Sequence, residues 1–573
     1  MDSIEDVLWK FALKNAHDYG TAQANAVVGK ALAELPEARN NMRETMALAQ
    51  KIVAVVNTMK KEELEEKLAH YSFAEKKEER GGLKLPKAEK GNVVTRFPPE
   101  PSGYPHIGHA KAALLDYECA RQYDGKFLLR FDDTNPEKEK QEYVDALKDG
   151  LTWLGISWDD ETYVSDRMPE LYGYAEQMIE SRDAYVCTCS QEKIREGRSL
   201  GQGCDCRERA MAENLKLWKG LREGEGKEES GVLRFKGNMD DLNTVMRDPV
   251  LFRIIEKKHF RQGFKYRLWP LYDFEAPIID SLEGVTHAMR TKEYELRDQL
   301  YFAILDSLKL REPELVEFSR LQIRNAPISK RLLLPLIAEG KVRGWDDPRL
   351  PTLTALRRRG ILPAAIKQFV LSFGLGKAES EPTWEALLVE NRKLLDPVSL
   401  RLFFVPSPVK LTVTGAPEKE AKLRRHPSDK SKGVRSVNTR GNFYISGSDA
   451  KALREGETFR LKDLYNVKIE SKSAAGTGGS TNAVVSASYA GEQPLPEKKV
   501  QWVAAESALE ANVLVPRDLL RDGEYDENSL LVDRGFVEAE AASLTTGTIV
   551  QFERYGFCKL DDKARLQFIF TNP

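Results

Sequence analysis

Hydrophobic and polar positions follow a helical period over the first part of the chain. In the segment "ALAELPEARNNMRETMALAQKIVAVVNTM", apolar residues recur every three or four positions, which predicts amphipathic helices. The pattern ends in the charged run "KKEELEEKLAHYSFAEKKEERGGLKLPKAEKG", which is typical of a solvated helix followed by a linker. We therefore predict a helical amino-terminal extension over residues 1–90.

The pattern then changes to that of an α/β domain. The run "NVVTRF" predicts a short strand, "IGHAKAALLDYECARQY" a helix and "KFLLRFDD" a second strand of the buried type. A strand, a helix and a strand within about 40 residues form a βαβ unit and require a parallel sheet. Similar segments reappear after residue 271, so we expect the sheet to be interrupted by an inserted domain.

The whole chain is therefore predicted to be a multidomain α/β protein. We assign a Rossmann-like parallel-sheet catalytic domain to residues 91–186 and 271–325, and an insertion to residues 187–270. Residues 326–400 read as a helical connective segment. Short alternating runs such as "GNFYISG" and "GTIVQFERYGFCKL", separated by turn residues, predict β-barrels over residues 401–573.

Composition narrows the class of protein. The chain has 573 residues, and its 87 Lys and Arg residues nearly balance 89 Asp and Glu residues. Global charge therefore gives no argument for a nucleic-acid partner, and any basic surface must be local. The amino terminus "MDSIEDVLWK" is acidic and lacks a leader pattern, and no apolar run approaches the roughly 20 residues that span a bilayer. We expect a cytoplasmic protein without a membrane partner.

Four of the six cysteines form two close pairs, Cys187 with Cys189 and Cys204 with Cys206. Two such pairs separated by a loop can supply the four thiolates of tetrahedral zinc. Nothing nearby suggests an open coordination position, so a structural Zn²⁺ is predicted. The alternative is a group of reduced cysteines in a turn-rich segment.

The stretch "FPPEPSGYPHIGHA" lies at the carboxyl end of the first predicted strand, where ligands bind in open α/β sheets. His106 and His109 are spaced so that both imidazoles can point at one phosphate from the first helical turn. Gly108 keeps a side chain from blocking this approach, and prolines such as Pro99 stiffen the entry. The alternative is a proline-rich turn with two surface histidines.

These residues resemble a known family. "PHIGH" matches the HIGH signature of class I aminoacyl-tRNA synthetases, and "TRFPPEPSGYPHIGHAKAALLDY" resembles the glutamyl and glutaminyl branch. The second family signature, the KMSKS loop, is filled imperfectly by "PISKR", in which Ser329 and Lys330 match but Pro327 replaces the first lysine. The resemblance implies that Lys330 neutralises charge on leaving pyrophosphate, with Ser329 beside it and Arg331 as a substitute for the missing cation.

The resemblance also implies an amino-acid pocket. "LRFDDTNPEKE" resembles the family's second-strand motif, in which Asp132 would bind the α-ammonium group, and "WPLYDFEAPIIDSLEGVTHAMRTKEY" resembles the block that carries Tyr272. Arg96 maps to the side-chain pocket. Arg290 stands where glutamyl enzymes carry arginine and glutaminyl enzymes a neutral residue; a guanidinium suits a γ-carboxylate, whereas an amide would leave donors facing donors. An exposed arginine at position 290 and core packing of Tyr272 are the alternatives.

Contacts with tRNA are implied in three regions. The insertion resembles the family's acceptor-stem-binding domain, and "RDPVLFRIIEKKHFRQGFKYRLWP" mixes cations with aromatics as an RNA clamp should. "VRGWDDPRLPTLTALRRRG" resembles the family's helical block, where Arg357, Arg358 and Arg359 are candidates for phosphate contacts. "RRHPSDKSKGVRSV" and "KKVQWVAAE" resemble the anticodon-binding barrels of glutaminyl and archaeal/eukaryotic-type glutamyl enzymes, where Lys432 and Arg435 are candidate contacts.

The resemblance, which covers roughly residues 92–570, implies the reaction. Glutamate would be activated by ATP with Mg²⁺, in a step that requires bound tRNA, and then transferred to the 3′-terminal adenosine of tRNA(Glu). No protein nucleophile is needed, so His106, His109 and Lys330 would act on phosphate charge. Charging of tRNA(Gln), and association with other synthetases through the amino-terminal extension, stay open. So do two alternatives: a glutaminyl enzyme, and a non-catalytic tRNA-binding scaffold suggested by the altered "PISKR".

Overall fold

The computed structural model describes residues 4–19, 21–35, 41–59, 61–68, 70–71, 83–228, 230–379, 381–473 and 484–573. The chain forms two compact units, Met1–Gly82 and Leu83–Pro573. Residues 72–82, in the middle of the predicted linker, lie outside the described residues. In the part of the chain that is described, none of the helices combines the length and the apolar character that crossing a bilayer demands.

The first unit is helical in its described residues. Its helices are α1 (Ile4–Tyr19), α2 (Ala24–Glu34), α3 (Met42–Val56) and α4 (Lys61–Leu68). Apolar residues at helical spacing, among them Leu8, Val27 and Ile52, meet in one core. This is the face that the periodic pattern predicts.

The second unit starts with alternating strands and helices. They are β1 (Val94–Phe97), α5 (Ile107–Gln122), β2 (Lys126–Phe131), α6 (Gln141–Trp153), β3 (Asp160–Tyr163) and α7 (Met168–Glu180). Strand β2 pairs in parallel with β1 on one side and with β3 on the other. The boundary with the first unit lies at residue 83 and not near 90, because Leu85 packs with Val93 and Leu115 under this sheet.

The insertion is built on an antiparallel sheet. Its elements are β4 (Ala184–Cys187), α8 (Gln191–Leu200), α9 (Met211–Glu223), β5 (Val232–Phe235), β6 (Val250–Ile254) and β7 (Leu268–Pro270). The first strand begins at Ala184, three residues before the predicted boundary. Apolar residues of β5 and β6 share one core with α7 and with the helices that follow β7. The insertion is therefore packed onto the catalytic domain without a separate core.

The parallel sheet resumes after β7. The elements here are α10 (Tyr272–Leu282), β8 (His287–Thr291), α11 (Asp298–Leu308) and β9 (Glu314–Phe318). Strand β8 pairs with β9 in parallel. The Thr286 N–H donates to Val94 O at 2.9 Å, and the Val94 N–H donates to Thr286 Oγ1 at 2.8 Å. These bonds place β8 beside β1, so the two-stranded sheet β8-β9 lies next to the three-stranded sheet β3-β2-β1.

A helical segment follows, with α12 (Lys330–Ala338), α13 (Leu353–Arg359), α14 (Pro363–Leu371) and α15 (Trp384–Leu395). Residues such as Leu353, Ile366 and Leu387 share a core with α5 and α6. The Leu353 N–H also donates to Pro105 O at 2.9 Å, and the Ile107 N–H donates to Pro351 O at 2.9 Å. The helical segment is therefore fixed to the loop that precedes α5.

The carboxy-terminal part is almost entirely strands. They are β10 (Leu400–Leu402), β11 (Phe404–Pro406), β12 (Val409–Thr414), β13 (Lys419–Arg424), β14 (Val434–Thr439), β15 (Asn442–Ile445), β16 (Thr458–Leu461), β17 (Asn466–Lys472), β18 (Val484–Tyr489), β19 (Lys499–Val500), β20 (Val503–Ala504), β21 (Leu509–Pro516), β22 (Leu520–Arg521), β23 (Glu524–Tyr525), β24 (Leu530–Val537), β25 (Ile549–Phe552), β26 (Gly556–Asp562) and β27 (Gln567–Asn572), with one helix, α16 (Gly447–Ala452).

Four of these strands form the separate pairs β13-β14 and β22-β23. The other fourteen form two barrel-like sheets of seven strands each, one with the order β10-β25-β26-β27-β21-β24-β11 and the other with the order β19-β16-β17-β18-β12-β15-β20. Because β10 and β11 belong to the sheet that the chain completes last, the other sheet is inserted within it. The predicted fold class, a parallel-sheet catalytic domain followed by β-barrels, is confirmed.

Candidate active site

His106 and His109 lie side by side at the open edge of the sheet. Helix α5 begins at Ile107, so His106 is its N-cap. The spacing predicted that His106 is in the first turn, and the structure places it one residue before that turn. The Gly108 N–H donates to His106 Nδ1 at 3.1 Å, and the His106 N–H donates to His109 Nδ1 at 3.3 Å. Since each Nδ1 accepts a hydrogen bond, each neutral ring carries its proton on Nε2. The pair therefore presents two Nε2–H donors.

Both imidazoles are uncharged near neutral pH. Burial lowers the pKa of His106 well below its ordinary value, and the charge of His109 adds to this. Burial also lowers the pKa of His109 to about 4. The rings, whose centroids are 3.9 Å apart, act as neutral hydrogen-bond donors at the positive end of a helix, a suitable site for phosphate oxygens.

Two glycines near the histidines approach neighbouring residues closely. A Cβ on Gly108 would lie 2.9 Å from His106 Cε1 and 3.3 Å from Leu321 O. Gly108 thus makes room for the His106 ring. The sequence predicts instead that Gly108 keeps the approach of a phosphate open. A Cβ on Gly103 would lie 2.9 Å from Lys330 Cε, so the second glycine makes room for the distant lysine.

The "PISKR" stretch meets the histidine loop across more than 200 residues of sequence. Ser329 is the N-cap of α12 and Lys330 is its first residue. The Lys330 ammonium lies 4.1 Å from the ring centroid of Tyr143, a cation–π contact. Ser329 and Arg331 are exposed. The structure therefore places Lys330 against the loop of Gly103 and leaves the neighbouring residues open to a ligand.

A buried carboxylate, Asp280, lies at the centre of a network of buried charged side chains. It accepts hydrogen bonds from Arg96 Nε at 2.9 Å and Nη2 at 3.1 Å, from Arg130 Nη1 at 2.6 Å and from the Tyr301 hydroxyl at 2.8 Å. All four side chains are at most 3% exposed. Burial acts to raise the pKa of Asp280, but Arg96 and Arg130 outweigh it and hold the pKa at about 2. Asp280 is therefore an anion between two cations.

Arg96 is a structural member of this network and has no nitrogen without a partner. Its Nη1 donates to Met289 O at 2.7 Å, and its other two nitrogens donate to Asp280. Burial acts to lower the pKa of Arg96, but Asp280 outweighs burial and raises it. The resemblance predicts that Arg96 contacts the side chain of the substrate. In the structure, Asp280 occupies the two nitrogens that a ligand carboxylate would need for a bidentate pair.

Arg290, in contrast, is buried and only partly satisfied. It lies near the end of β8, is 6% exposed and forms an ion pair with Asp298 through Nη2. Within the described part of the chain, its Nε and Nη1 have no hydrogen-bond partner. This excludes the alternative of an exposed surface arginine. Because buried unpaired donors on a cation are costly, the arrangement is suited to an anionic group that completes it.

Asp132 and Tyr272 border the same pocket. Asp132 Oδ1 accepts from Arg130 Nε at 2.7 Å, whereas Oδ2 has no partner although the residue is only 7% exposed. Tyr272 begins α10 and is half-buried, with its ring centroid 4.9 Å from that of Tyr294. Asp132 therefore keeps one oxygen available for a donor such as an ammonium group.

The sequence analysis did not identify Arg130 and Asp280, although each is a charged residue within an apolar segment. Arg130 interrupts the apolar strand "KFLLRF", and Asp280 interrupts the apolar helix segment "APIIDSL". A charged residue inside an otherwise buried element usually has a partner in the core. Lys111 is a third such residue: its ammonium donates to Ser319 O at 2.5 Å and to Ser319 Oγ at 3.0 Å, which ties α5 to the segment that leads into "PISKR".

Comparison with known proteins agrees with this geometry. The family described as "tRNA synthetases class I (E and Q), catalytic domain" matches residues 92–397, and two anti-codon binding domains of the same class match residues 399–490 and 499–561. The chain belongs to the class I synthetase family for glutamate and glutamine. It is thus an aminoacyl-tRNA synthetase, and the scaffold without catalysis is set aside.

Similar curated proteins are archaeal. A protein named Glutamate--tRNA ligase from Cenarchaeum symbiosum (strain A) is 43% identical over 98% of this chain and 99% of its own length. Proteins of the same name from Nitrosopumilus maritimus (strain SCM1) and Pyrococcus abyssi (strain GE5 / Orsay) are 43% and 41% identical, and the alignments cover 100% and 97% of both chains. The likeness therefore extends over the amino-terminal unit as well.

The synthetase has a cysteine cluster in its insertion. The sulfurs of Cys187, Cys189, Cys204 and Cys206 all lie within 4.8 Å of one another. Cys187 and Cys204 are 3.7 Å apart, and Cys189 and Cys206 are 3.8 Å apart. Tetrahedral zinc with bonds of about 2.3 Å requires sulfurs about 3.8 Å apart, so the donor set fits this ion.

The thiols of the cluster have different surroundings: burial raises the pKa of Cys187 and of Cys189, whereas the pKa of Cys206 is lowered. Arg234 Nη1 lies 3.8 Å from the sulfurs of both Cys187 and Cys204. Burial acts to raise the pKa of Cys206, but hydrogen bonds from Thr188 outweigh it and lower the pKa to about 7. A cation beside four thiolates offsets part of the negative charge that they carry around a divalent ion.

Replacement of Cys204 by serine is expected to remove the metal. In zinc-supplemented preparations, elemental analysis should give about one zinc per chain for the wild type and much less for Cys204→Ser, with earlier thermal unfolding of the variant, since binding of a structural zinc stabilises the fold. Cys119→Ser is the control, because Cys119 is buried under the parallel sheet and away from the cluster. Less than about half a zinc per wild-type chain would contradict the assignment.

The synthetase's three consecutive arginines have different environments. Arg357 is 53% exposed beside Asp149, which suits a phosphate contact. Arg358 forms ion pairs with Asp346 and Asp561 at 3.0 and 2.9 Å. Arg359 is 4% exposed, with its guanidinium 4.8 Å from the Trp384 ring, and burial lowers its pKa to about 10. The prediction that Arg359 contacts RNA is therefore wrong for this conformation, since it lies in the core.

The two predicted anticodon contacts also differ. Lys432 is half-buried, and its ammonium donates to Val398 O. Arg435 is 2% exposed, donates to Glu538 at 2.6 Å and to Arg424 O at 2.7 Å, and so lies buried between the two barrel-like sheets. Arg435 is therefore buried in an ion pair with Glu538, and its contact with the anticodon stays a prediction.

Proposed function

We propose that this synthetase is a glutamate–tRNA ligase, and that its amino-acid pocket selects glutamate through Arg290. The observation that carries the proposal is the pair of unpartnered donors, Nε and Nη1, on a guanidinium that is 6% exposed. A γ-carboxylate supplies acceptors and a compensating charge, whereas the amide of glutamine would turn its N–H₂ group toward these donors.

The phosphate groups of ATP are held by neutral and cationic donors together. The Nε2–H groups of His106 and His109 donate to phosphate oxygens, and the ammonium of Lys330 neutralises charge on the departing pyrophosphate. Ser329 and Arg331 border the same loop, and Pro99 and Gly108 shape the histidine side. Mg²⁺ arrives with ATP and neutralises further phosphate charge.

The amino acid is held so that its α-carboxylate attacks the α-phosphate. Asp132 Oδ2 accepts from the α-ammonium group, Tyr272 lines the pocket, and Arg96 supports its base through Asp280. Formation of glutamyl-adenylate then needs positioning without a protein nucleophile. The terminal adenosine hydroxyl of tRNA takes the glutamyl group from this intermediate.

The remaining domains are proposed to bind tRNA. The insertion at residues 187–270 holds the acceptor stem, with Phe264, which is 75% exposed, available for stacking on a base. Residues 326–400 contact the backbone through Arg357, and residues 401–573 bind the anticodon with Lys432 at the surface. The cysteine cluster holds a structural Zn²⁺ that supports the insertion. The reaction takes place in the cytoplasm.

An amino-acid competition tests the substrate. ATP–pyrophosphate exchange is measured with glutamate and with glutamine, each with and without tRNA(Glu), and we expect exchange with glutamate that depends on tRNA. Preference for glutamine would overturn the proposal. Charging of purified tRNA(Glu) and tRNA(Gln) by the same preparation then decides which tRNA is the acceptor.

Loss of the Asp280 charge is expected to destabilise the catalytic domain. Asp280→Asn leaves Arg96 and Arg130 as buried cations without their counter-charge, and should lower the free energy of unfolding by about 3 to 5 kcal/mol in urea titrations. Asp124→Asn is the control, since Asp124 is 66% exposed in its pair with Lys90. A loss no larger than that of the control would contradict the assigned role.

The same residue gives an acid dependence. The folded-state pKa of Asp280 is about 2, below its ordinary value of 3.8, so the carboxylate contributes stability that is present above about pH 4 and is lost as the pH falls toward 2. The difference in stability between the wild type and Asp280→Asn should shrink over that interval.

A further inference from the structure

A buried histidine of the insertion has one hydrogen-bond donor that the described contacts leave open. His259 is 0% exposed and lies in the hairpin between β6 and β7. Its Nδ1 accepts hydrogen bonds from the backbone N–H groups of Arg261 at 3.2 Å and Gln262 at 3.0 Å. A ring nitrogen that accepts carries no proton, so the ring is neutral and its proton is on Nε2. The remaining donor of His259 is therefore Nε2–H.

Two carboxyl groups of the catalytic domain lie next to this donor. His259 Nε2 is 3.4 Å from Glu139 Oε2 and 3.7 Å from Asp133 Oδ2, and all three side chains are fully buried. Among the residues that the structure describes, neither Nε2 nor Oε2 has a hydrogen-bond partner. Both distances exceed that of an ordinary hydrogen bond. Because a buried donor and a buried acceptor without partners are costly, a slightly closer approach would satisfy both.

Glu139 needs such a donor. Its Oε1 accepts from the Asn135 N–H at 2.8 Å. Burial nevertheless raises the pKa of Glu139 to about 9, and a second hydrogen bond to the carboxylate would lower that pKa. The Nε2–H group of His259 is in the right place to supply it.

The loop after β2 connects this contact to the amino-acid site. Asp133 directly follows Asp132, whose Oδ2 is assigned to the α-ammonium group, and Glu139 lies further along the same loop. Asp133 accepts from the Ser165 N–H at 2.8 Å and from the Ser165 hydroxyl at 2.7 Å. The position of Asp132 thus depends on what holds its neighbours in the loop.

Further contacts fix the hairpin beside this loop. Arg261 Nη2 lies 2.6 Å from Asp166 Oδ2, and Arg261 Nε lies 3.9 Å from Asp133 Oδ2. The guanidinium carbon is 3.6 Å from the centroid of the Tyr163 ring. Gln262 Nε2 also donates to Asp166 Oδ1 at 2.7 Å. The hairpin of the insertion is therefore docked on the end of β3 and on the loop after β2.

We propose that His259 is a positioning residue for recognition of the amino acid. Its Nε2–H donates to Glu139 Oε2 in the catalytically competent enzyme, and this contact holds the loop that carries Asp132. The inference rests on the proposed function, since it needs Asp132 to bind the α-ammonium group. A domain assigned to tRNA binding thus also supports the amino-acid pocket.

His259→Asn tests the donor. The amide oxygen can still accept from the backbone N–H groups of the hairpin, but the donor at Nε2 is lost. In tRNA charging, we expect the KM for glutamate to rise by about 5- to 20-fold, the effect of about one hydrogen bond, with kcat and the KM for ATP changed by less than about twofold. Lys219→Gln is the control, because Lys219 is 72% exposed and pairs with Glu223 on its own helix; its constants should stay within about twofold.

Glu139→Gln tests the acceptor. Its amide oxygen accepts from the Asn135 N–H, which turns the N–H₂ group toward the His259 donor, and we expect the same selective rise in the KM for glutamate. If the two side chains act through one bond, the double variant stays within about twofold of the larger single effect. The inference fails if the two effects multiply, if the KM values for glutamate and ATP change equally, or if the KM for glutamate does not change.

Thermal unfolding shows whether each variant is folded at the assay temperature. If His259→Asn is not, Glu139→Gln alone decides: a selective rise in the KM for glutamate supports the inference, and an unselective change or none contradicts it. Failure of the proposed function is seen separately, in the wild type, as a preference for glutamine.

Discussion

Arg290→Gln is expected to reduce kcat/KM for glutamate by roughly 30- to 5,000-fold, or about 2 to 5 kcal/mol, the usual cost of removing one partner of a buried charge pair. The substitution takes away the guanidinium whose two free donors are assigned to the γ-carboxylate, and it leaves Asp298 without its cation. Discrimination against glutamine should fall by a comparable factor, because the amide no longer faces a full set of donors. Aminoacylation kinetics with both amino acids measure this.

A matched arginine in the same domain serves as control. Arg320 forms an ion pair with Glu293, and both side chains are 51% exposed. Surface pairs of this kind contribute little, so Arg320→Gln should keep kcat/KM for glutamate within about twofold. If Arg290→Gln behaves like this control, Arg290 does not select the substrate, and Arg96 would have to be reconsidered in spite of its contacts with Asp280.

The second large effect is expected at Lys330. Lys330→Ala should lower kcat for charging by about 10²- to 10³-fold, the usual loss when one group that stabilises charge in the transition state is removed. Binding of tRNA should remain, since Lys330 is assigned to the triphosphate. Rapid-quench charging assays give the rate, and filter binding gives the affinity for tRNA.

Lys393→Ala provides the comparison, because Lys393 is 61% exposed and pairs only with Glu390 on its own helix. We expect no more than a twofold change for it. Equal losses of charging and of tRNA affinity in Lys330→Ala would assign the lysine to tRNA binding instead. An unchanged charging rate would remove the whole "PISKR" stretch from the ATP site.

The contacts of these buried residues explain why effects on stability should be separable from effects on substrate recognition. Asp280 pairs with Arg96 and Arg130, and all three nitrogens of Arg96 are used, whereas Arg290 and Asp132 keep atoms without a partner among the described residues. Stability and recognition thus depend on different members of one buried network. Variants of the first group should change the free energy of unfolding, and variants of the second should change mainly kinetic constants.

Local pattern was sufficient for the first βαβ unit and for the motifs on it. Strand β1, helix α5 and strand β2 follow the apolar runs that predict them, because burial of a strand or of one helix face needs only residues that are near in sequence. The role expected of Arg290, and the pairing of "PHIGH" with a distant "ISK", came from the resemblance to the family and not from the apolar pattern. The spacing of the cysteines likewise matched a cluster whose sulfurs meet.

Partners in the folded chain could not be read from the sequence. Arg96 and Asp280 are 184 positions apart, so only tertiary structure shows that Arg96 is already paired. The run "RRR" looks uniformly basic, yet successive helical residues point about 100° apart, and packing against Trp384 buries Arg359 while Arg357 stays exposed.

What the sequence determined was which chemical groups are available and where along the chain they lie: the histidines, the lysine, the pocket residues and the four thiols. What only the tertiary structure decided was which of them are already satisfied. Tertiary structure left Arg290 and Asp132 with unpaired atoms among the described residues, and it placed Arg359 and Arg435 among the buried side chains. The physical reason is that burial and compensation of charge depend on groups brought together from distant parts of the chain.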